Sequence, residues 1–460
     1  MELVLRLKSL DLRNFHRFEK FSIDFDDHMT VLIGNNGSGK SSLLSAASVA
    51  VGTLFIKFDN IPTRSILRSD VRVKTFDYGE TIDLQGQYPV EVTARGFVAP
   101  TDSGDISENM QSGTWTRSLT TSKGKTTYGD AGFMVNWSEE IAQRVQEGDT
   151  NLVLPVVSYY GTGRLWAKKC RKSERKQRFS RLDCYRDALD AETNEDQMLS
   201  WFFKMAVQDA RRAQGLSPDG RSALYAAVRR AVAQCFARIT KKDHVEVSYN
   251  FDTDDIEVTY LDGEGGVRRM PMGLLSDGYR TTLSMIAVIA YRMALLNPML
   301  GERVLESPGV VLIDEVDLHL HPLWQAQILG DLRSIFPNVQ FIVTTHAPIV
   351  VSSVRSEHVR VLSGGEGGMS ESAELPPDQT YGSDVGRTLE SVMGAPERPE
   401  EIQRKFDEFY DKLDQLSRME QPDFAVAEKM LDDLERGIGP NDTDLVAART
   451  ALELEIVDCL

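Results

Sequence analysis

The stretch that most constrains this chain is Thr30 to Leu44, TVLIGNNGSGKSSLL. Val31, Leu32 and Ile33 read as a buried strand, and the residues from Ser41 onward as the start of a helix. Between them, Gly34 to Ser41 satisfies G-x-x-x-x-G-K-[ST], a phosphate-binding loop. The spacing has a physical reason. Gly37 and Gly39 let backbone N–H groups turn inward in conformations that a Cβ obstructs. The helix that follows aims its unpaired donors and positive dipole end at the same anion. The expected nucleotide contacts are therefore Asn35, Asn36, Gly37, Ser38, Gly39, Lys40, Ser41 and Ser42. Lys40 would neutralise the β- and γ-phosphates and Ser41 would ligate Mg²⁺, so ATP and Mg²⁺ are the implied cofactors.

Composition narrows the class further. With 460 residues, 41% apolar and 26% charged, the chain can build a sizeable core. Its four cysteines, Cys170, Cys184, Cys235 and Cys459, show no C-x-x-C spacing, which argues against a zinc site or disulfide framework and fits a reducing cytoplasm. The most apolar helix-like run, Thr281 to Asn297, contains Arg292 and is too short to span a bilayer, so no membrane is expected. The net charge of −17 is unevenly placed. From Glu397 onward there are 18 acidic residues against 8 basic, whereas Arg164 to Arg181 carries nine Lys or Arg and one Glu. That track can bind DNA phosphates or be a solvated helix face.

Along the chain, residues 1–33 read as a β-meander ending in the strand of the phosphate loop. Phe15, His16 and Arg17 sit at a turn, either reaching a nucleotide base or packed beneath the sheet. Thr101 to Asp130 reads as a polar surface excursion. Ala188 to Thr240 is helical, with Trp201, Phe202 and Phe203 as core, and His244 to Arg269 is a hairpin. Strand-like VVLIDEVD (310–317) and QFIVTTHAP (340–348) alternate with helices, as in a parallel α/β sheet. A linker follows, and then an acidic helical tail whose Phe406, Phe409, Leu413 and Leu416 lie at helical spacing. They can bury one face against the body of the protein or a partner. The expected divisions are 1–164, a first lobe with the phosphate loop; 165–243, a helical insertion; 244–365, a second lobe; 366–398, a linker; and 399–460, the acidic helical region.

In VVLIDEVD the apolar run puts Asp314 and Glu315 at the carboxyl end of a strand, where α/β sheets hold ligands. Asp314 is expected in the Mg²⁺ shell, with Glu315 polarising the water that attacks the γ-phosphate. His346 ends the next strand and could contact the γ-phosphate. Asp317, His319 and His321 make a weak metal pattern and read better as a subunit contact.

LLSDGYR (274–280) is a second helix N-terminus suited to an anion, with Ser276 and Gly278 at its start. At this point the chain resembles the ABC ATPase superfamily, whose LSGGQ signature clamps the nucleotide held by a second subunit. The LSDGY form is similar to that of the SMC-like branch. The fold this resemblance implies is an α/β ABC-type P-loop ATPase head, a mixed sheet with an antiparallel β subdomain, carrying the helical insertion and the C-terminal helical extension. Within the branch, SYYGTGR, IDEVDLHLHP and TTHAPIV resemble ATPase subunits of anti-phage systems of the Septu, PARIS and retron-associated kinds, and the ATPase half of OLD-family nucleases. Where ABC proteins place a Gln after the strand feeding the site, this chain has Tyr159-Tyr160, and Gln85 and Gln87 are poor substitutes.

By resemblance, the chain is a cytoplasmic ATPase that forms a homodimer around ATP and higher homo-oligomers. It would hold or release a separate nuclease subunit, of HNH or TOPRIM type, on a phage protein or nucleic-acid trigger. The alternative is a RecF-like ATPase that clamps duplex DNA in repair.

Overall fold

The computed structural model of the protein describes residues 5–79, 81–98, 111–165, 180–190, 195–214, 222–362, 364–365, 368–369, 372–419 and 422–458. The chain divides into two compact units, Met1–Thr388 and Leu389–Leu460.

The first unit opens with β1 (Leu5–Phe15), β2 (Phe18–Asp24), β3 (Met29–Ile33) and α1 (Lys40–Val51). There follow β4 (Val73–Asp77), β5 (Ile82–Gly86), β6 (Val90–Val98), β7 (Gln111–Leu119), α2 (Gly132–Gln146) and β8 (Val156–Tyr160). Next come α3 (Glu195–Ala213), α4 (Ala223–Thr240), β9 (Glu246–Asn250), β10 (Asp255–Leu261), β11 (Val267–Pro271) and α5 (Asp277–Leu296). The unit continues with β12 (Gly309–Ile313), α6 (Ile328–Ile335), β13 (Val339–Thr344) and β14 (Val359–Val361).

At its heart is a five-stranded parallel sheet in the order β14-β3-β13-β12-β8. Every residue of β3, β12 and β13 is buried. Strands covered on both faces need such continuous apolar runs. A separate antiparallel sheet, β2-β1-β6-β7, shows the other pattern: β6 alternates buried and less buried residues and so offers one face to the core. Gln340 of β13 ties the two sheets together. Its amide accepts from the Leu7 N–H (2.9 Å) and donates to the carbonyls of Leu7 (2.8 Å) and Asp26 (2.7 Å). A third sheet, β11-β10-β9, leads into α5.

Several expectations change. Residues 1–33 are not one meander, because β3 leaves the β1–β2 hairpin to pair in parallel with β13 and β14. All five of its residues are buried, with Val31, Leu32 and Ile33 as an apolar run, which suits a sheet covered on both faces. The expected polar excursion at 101–130 contains β7, on which Trp115 and Arg117 are buried; residues 101–110 lie outside those described. Of the three aromatics on α3, Phe202 is buried and Trp201 packs on Tyr225 and Tyr291, but Phe203 is exposed against Tyr249. Three successive residues on a helix cannot share one face. The segment expected as a linker returns to the first unit. The Ala373 and Glu374 N–H groups donate to the carbonyls of Ser22 (3.2 Å) and Val361 (3.0 Å), and the buried Thr380 hydroxyl donates to Val354 O.

The second unit comprises α7 (Glu400–Ser417), α8 (Ala425–Ile438) and α9 (Thr443–Asp458). Phe406, Phe409, Leu413 and Leu416 of α7 share a core with Leu431 and Leu434 of α8 and Leu445, Ala448 and Leu452 of α9. The apolar face of α7 is thus spent inside its own three-helix unit.

Candidate nucleotide-binding site

The parallel sheet gathers the chemistry at one edge. The phosphate loop follows β3, Asp314 follows β12, and β13 runs between them in the sheet. Thr344 pairs in register with Leu32, and Val343 with Ile313, so residues far apart in sequence end at the same level.

The loop has the backbone its glycines permit. Gly37 and Gly39 sit at φ 77° and 100°. A Cβ on Gly39 would also lie 2.4 Å from Cζ of Phe18, so no other residue fits there. Arg17 lies alongside: its Cδ is 3.3 Å from where that Cβ would be. Phe15, by contrast, is buried in the sheet, and His16 pairs with buried Asp70 at 3.2 Å. Phe15 thus follows the packed reading, while Arg17 lies beside the phosphate loop.

Lys40 begins α1 and is nearly buried. Its ammonium donates to the carbonyls of Gly34 (2.7 Å) and Asn35 (3.1 Å), folded back over the loop. Burial pulls its pKa below the ordinary lysine value, against the opposing pull of Asp314 and Glu315. The Ser38 Oγ is buried without a hydrogen-bond partner among the described residues. A cradle that only glycine fits, an ammonium and an orphaned hydroxyl match a polyphosphate.

Asp314 and Glu315 are pinned by a residue that sequence reasoning passed over. The Thr344 hydroxyl donates to Asp314 Oδ1 at 2.6 Å and accepts from the Glu315 N–H at 2.7 Å. Glu315 is held at φ 49°, an unusual conformation for a residue with a side chain and one that concentrates at functional sites. The Thr345 hydroxyl donates to Asp317 Oδ1 at 2.5 Å, which fixes the loop leading to His319. His346 follows and is exposed. The only available signal was the Thr-Thr pair between an apolar run and His346.

Tyr159 and Tyr160 end β8 beside β12, where the Asp314 N–H donates to Tyr160 O (2.8 Å). Burial and nearby Asp314 push the Tyr159 phenol up to about 12, so it stays neutral. Gln85 lies on the exposed β5. Among the described residues no group of three or more His, Cys, Asp or Glu is arranged to hold a metal, and His319 and His321 are exposed.

At the second helix N-terminus, Ser276 is the N-cap of α5, yet its hydroxyl makes no capping hydrogen bond. Ser276 is exposed and Gly278 is buried. A Cβ on Gly278 would meet His319 O at 2.3 Å, so this glycine is demanded by close packing. Tyr279 packs against Phe236 of α4 and Trp324 with tilted rings, centroids 5.9 Å and 4.0 Å away. The helical insertion and the loop beyond Glu315 therefore meet on the signature segment. Residues 166–179, most of the basic track, lie outside those described. No helix among the described residues is long and apolar enough to cross a membrane.

Comparison with known proteins agrees with this geometry. Residues 9–210 match the family described as AAA domain, and residues 171–352 the family described as AAA domain, putative AbiEii toxin, Type IV TA system. The Retron Ec83 probable ATPase of Escherichia coli is 25% identical over 98% of this chain and 87% of its own length. The Retron Vc95 probable ATPase of Vibrio cholerae is 24% identical over 78% and 74%, respectively. The Septu protein PtuA of Bacillus thuringiensis is 33% identical over 33% of this chain and 37% of its own. The SMC head domain from Thermotoga maritima superposes with TM-score 0.40 at 16% identity, over 81% of this chain and 99% of that one. Phosphate cradle, paired carboxylates and relatives converge: the chain is a P-loop ATPase, similar to the retron and Septu ATPases.

Proposed function

We propose that this ATPase works as a homodimer closed around two ATP·Mg²⁺, and that closure regulates a separate nuclease subunit in anti-phage defence. The observation that carries the reading is that one unit holds two helix N-termini of a kind suited to an anion, α1 at the phosphate loop and α5 at exposed Ser276, whose hydroxyl makes no capping bond. One phosphate needs only one of them. Two chains arranged head to tail use both.

In this reading Lys40 neutralises the β- and γ-phosphates, with backbone N–H groups of Asn35 to Ser42 around them. Ser41 and Asp314 would hold magnesium, which would supply further neutralisation of phosphate charge. Glu315 takes the proton of the attacking water, and His346 lies beside the γ-phosphate. Ser276 and the first turn of α5 from the partner subunit complete the site, with Gly278 permitting the tight seat of that turn. Residues 1–164 and 244–365 act as two lobes of one head, and 165–243 couples to the signature through Phe236 and Tyr279. The γ-phosphate distinguishes the closed and open states, which makes the cycle a switch. The defence role rests on similarity to the retron and Septu proteins.

The test is the Glu315→Gln form, tagged and captured from its native cell with ATP present. It should retain ATP, run as a larger closed oligomer and bring down a stoichiometric nuclease. Unchanged mass in ATP sinks the dimer. Duplex DNA with repair proteins, and no nuclease, would favour a RecF-like clamp; a RecF protein from Picosynechococcus is 46% identical over 43 residues.

A further inference from the structure

Strand β7 carries a residue that its position does not explain. Trp115, Arg117 and Leu119 alternate onto one face, and all three are buried. Trp115 and Leu119 suit that face; a guanidinium does not. Arg117 is 2% exposed and donates from Nε to Thr127 O at 3.2 Å. Its Nη1 is buried without a hydrogen-bond partner, and no carboxylate pairs with it, among the described residues. Burial pulls its pKa down, with Tyr128 opposing that. A buried cation without an anion costs several kcal/mol, on the order of the penalty for breaking a buried ion pair.

Arg117 is among the residues that line a cavity of about 400 Å³, with others from 63–68 and 122–128. Arg68 and Lys125 also line it and are exposed, Ser65 and Ser122 add hydroxyls, and Tyr128 is 54% exposed. Among the described residues the lining contains no Asp or Glu. This cavity is separate from the phosphate loop, whose residues do not line it.

We infer that this cavity is a second anion site, taking a phosphate monoester of nucleotide size, with Arg117 on the phosphate and Tyr128 offering a face to the base. Three cations and two hydroxyls match a phosphate dianion better than a single carboxylate. The volume exceeds what one phosphate fills and lies within the range of small-molecule sites. Exposed Tyr128 supplies the aromatic face on which bases stack. A free mononucleotide and the 5′-phosphate end of an oligonucleotide share this chemistry.

The experiment is calorimetric titration of the full chain, with the phosphate loop saturated by ADP and Mg²⁺. The titrants are AMP, adenosine, and a short single strand with or without a 5′-phosphate. Saturable binding of AMP and not adenosine is expected. It should weaken at least about tenfold in Arg68→Glu/Lys125→Glu, as loss of charge-assisted contacts implies. Both residues are exposed, so the variant should melt like the parent; Arg117→Met is a second variant, informative if it folds. Binding of only the phosphorylated strand would assign the ligand to nucleic-acid ends. No saturable binding of any phosphorylated titrant overturns the site. So does binding that is equal with adenosine, or unchanged in the double variant.

Discussion

The carboxyl edge of the parallel sheet and the three-helix C-terminal unit are built by opposite means. At the sheet edge, Lys40, Asp314 and Thr344 come from three distant parts of the chain and are brought together by strand order and register. In the helical unit, the core residues recur at helical spacing within each helix, and the three helices are consecutive. The first is a site because non-local pairing makes polar groups converge. The second is a packing unit, in which local periodicity does nearly all the work.

Four outcomes sharpen or break that contrast. Lys40→Ala should lower ATP turnover by about 100-fold or more, the scale of losing one preorganised charge at a phosphoryl group, while leaving the melting of the helical unit unchanged. Steady-state phosphate release and circular dichroism check the two halves. Leu431→Ala removes a fully buried side chain from the helical core and should destabilise that unit by about 2–5 kcal/mol. Turnover should hold at parental level; a parallel loss of ATPase activity would join the two regions functionally.

Thr344→Val is near-isosteric but deletes both the donor to Asp314 and the acceptor for Glu315. The expected cost is about 1–3 kcal/mol, read as roughly a tenfold fall in kcat with a smaller change in KM. A pure stability loss with parental kcat would make Thr344 a structural residue only.

The smallest effect is a pH response of the helical unit. Arg398 donates to Asp442 twice, at 2.9 Å each, and this pairing holds the Asp442 carboxyl below its ordinary value of 3.8. A carboxyl lowered on folding stabilises the fold above its unfolded value and loses that contribution as pH falls through the folded one. Thermal melts should therefore be flat from neutrality to about pH 5 and drop below 3.8. Asp442→Asn should flatten that drop.

Much of the site was legible in the sequence because its residues obey local rules. The glycines of the phosphate loop, the apolar run before Asp314 and Glu315, and the Ser276 helix start are each written within about ten residues, the reach of one supersecondary element. Thr344 was not legible as the residue that pins the two carboxylates. Its hydroxyl matters only because β13 lies beside β12, and pairing order is not encoded in the sequence near either strand. The same holds for Phe18 of β2, which makes Gly39 obligatory from outside the phosphate loop, and for Tyr279, whose partners lie on α4 and at Trp324.

The sequence by itself therefore determined the phosphate cradle, the parallel α/β core and the helical tail, since backbone conformation and apolar periodicity are local properties. Tertiary structure alone decided which carboxylates face Lys40, that β3 abandons its hairpin, that the tail buries its apolar face in itself, and that Arg117 is buried beside a cavity. Each of these depends on which strand or helix becomes the neighbour, and that choice is made by the whole core at once.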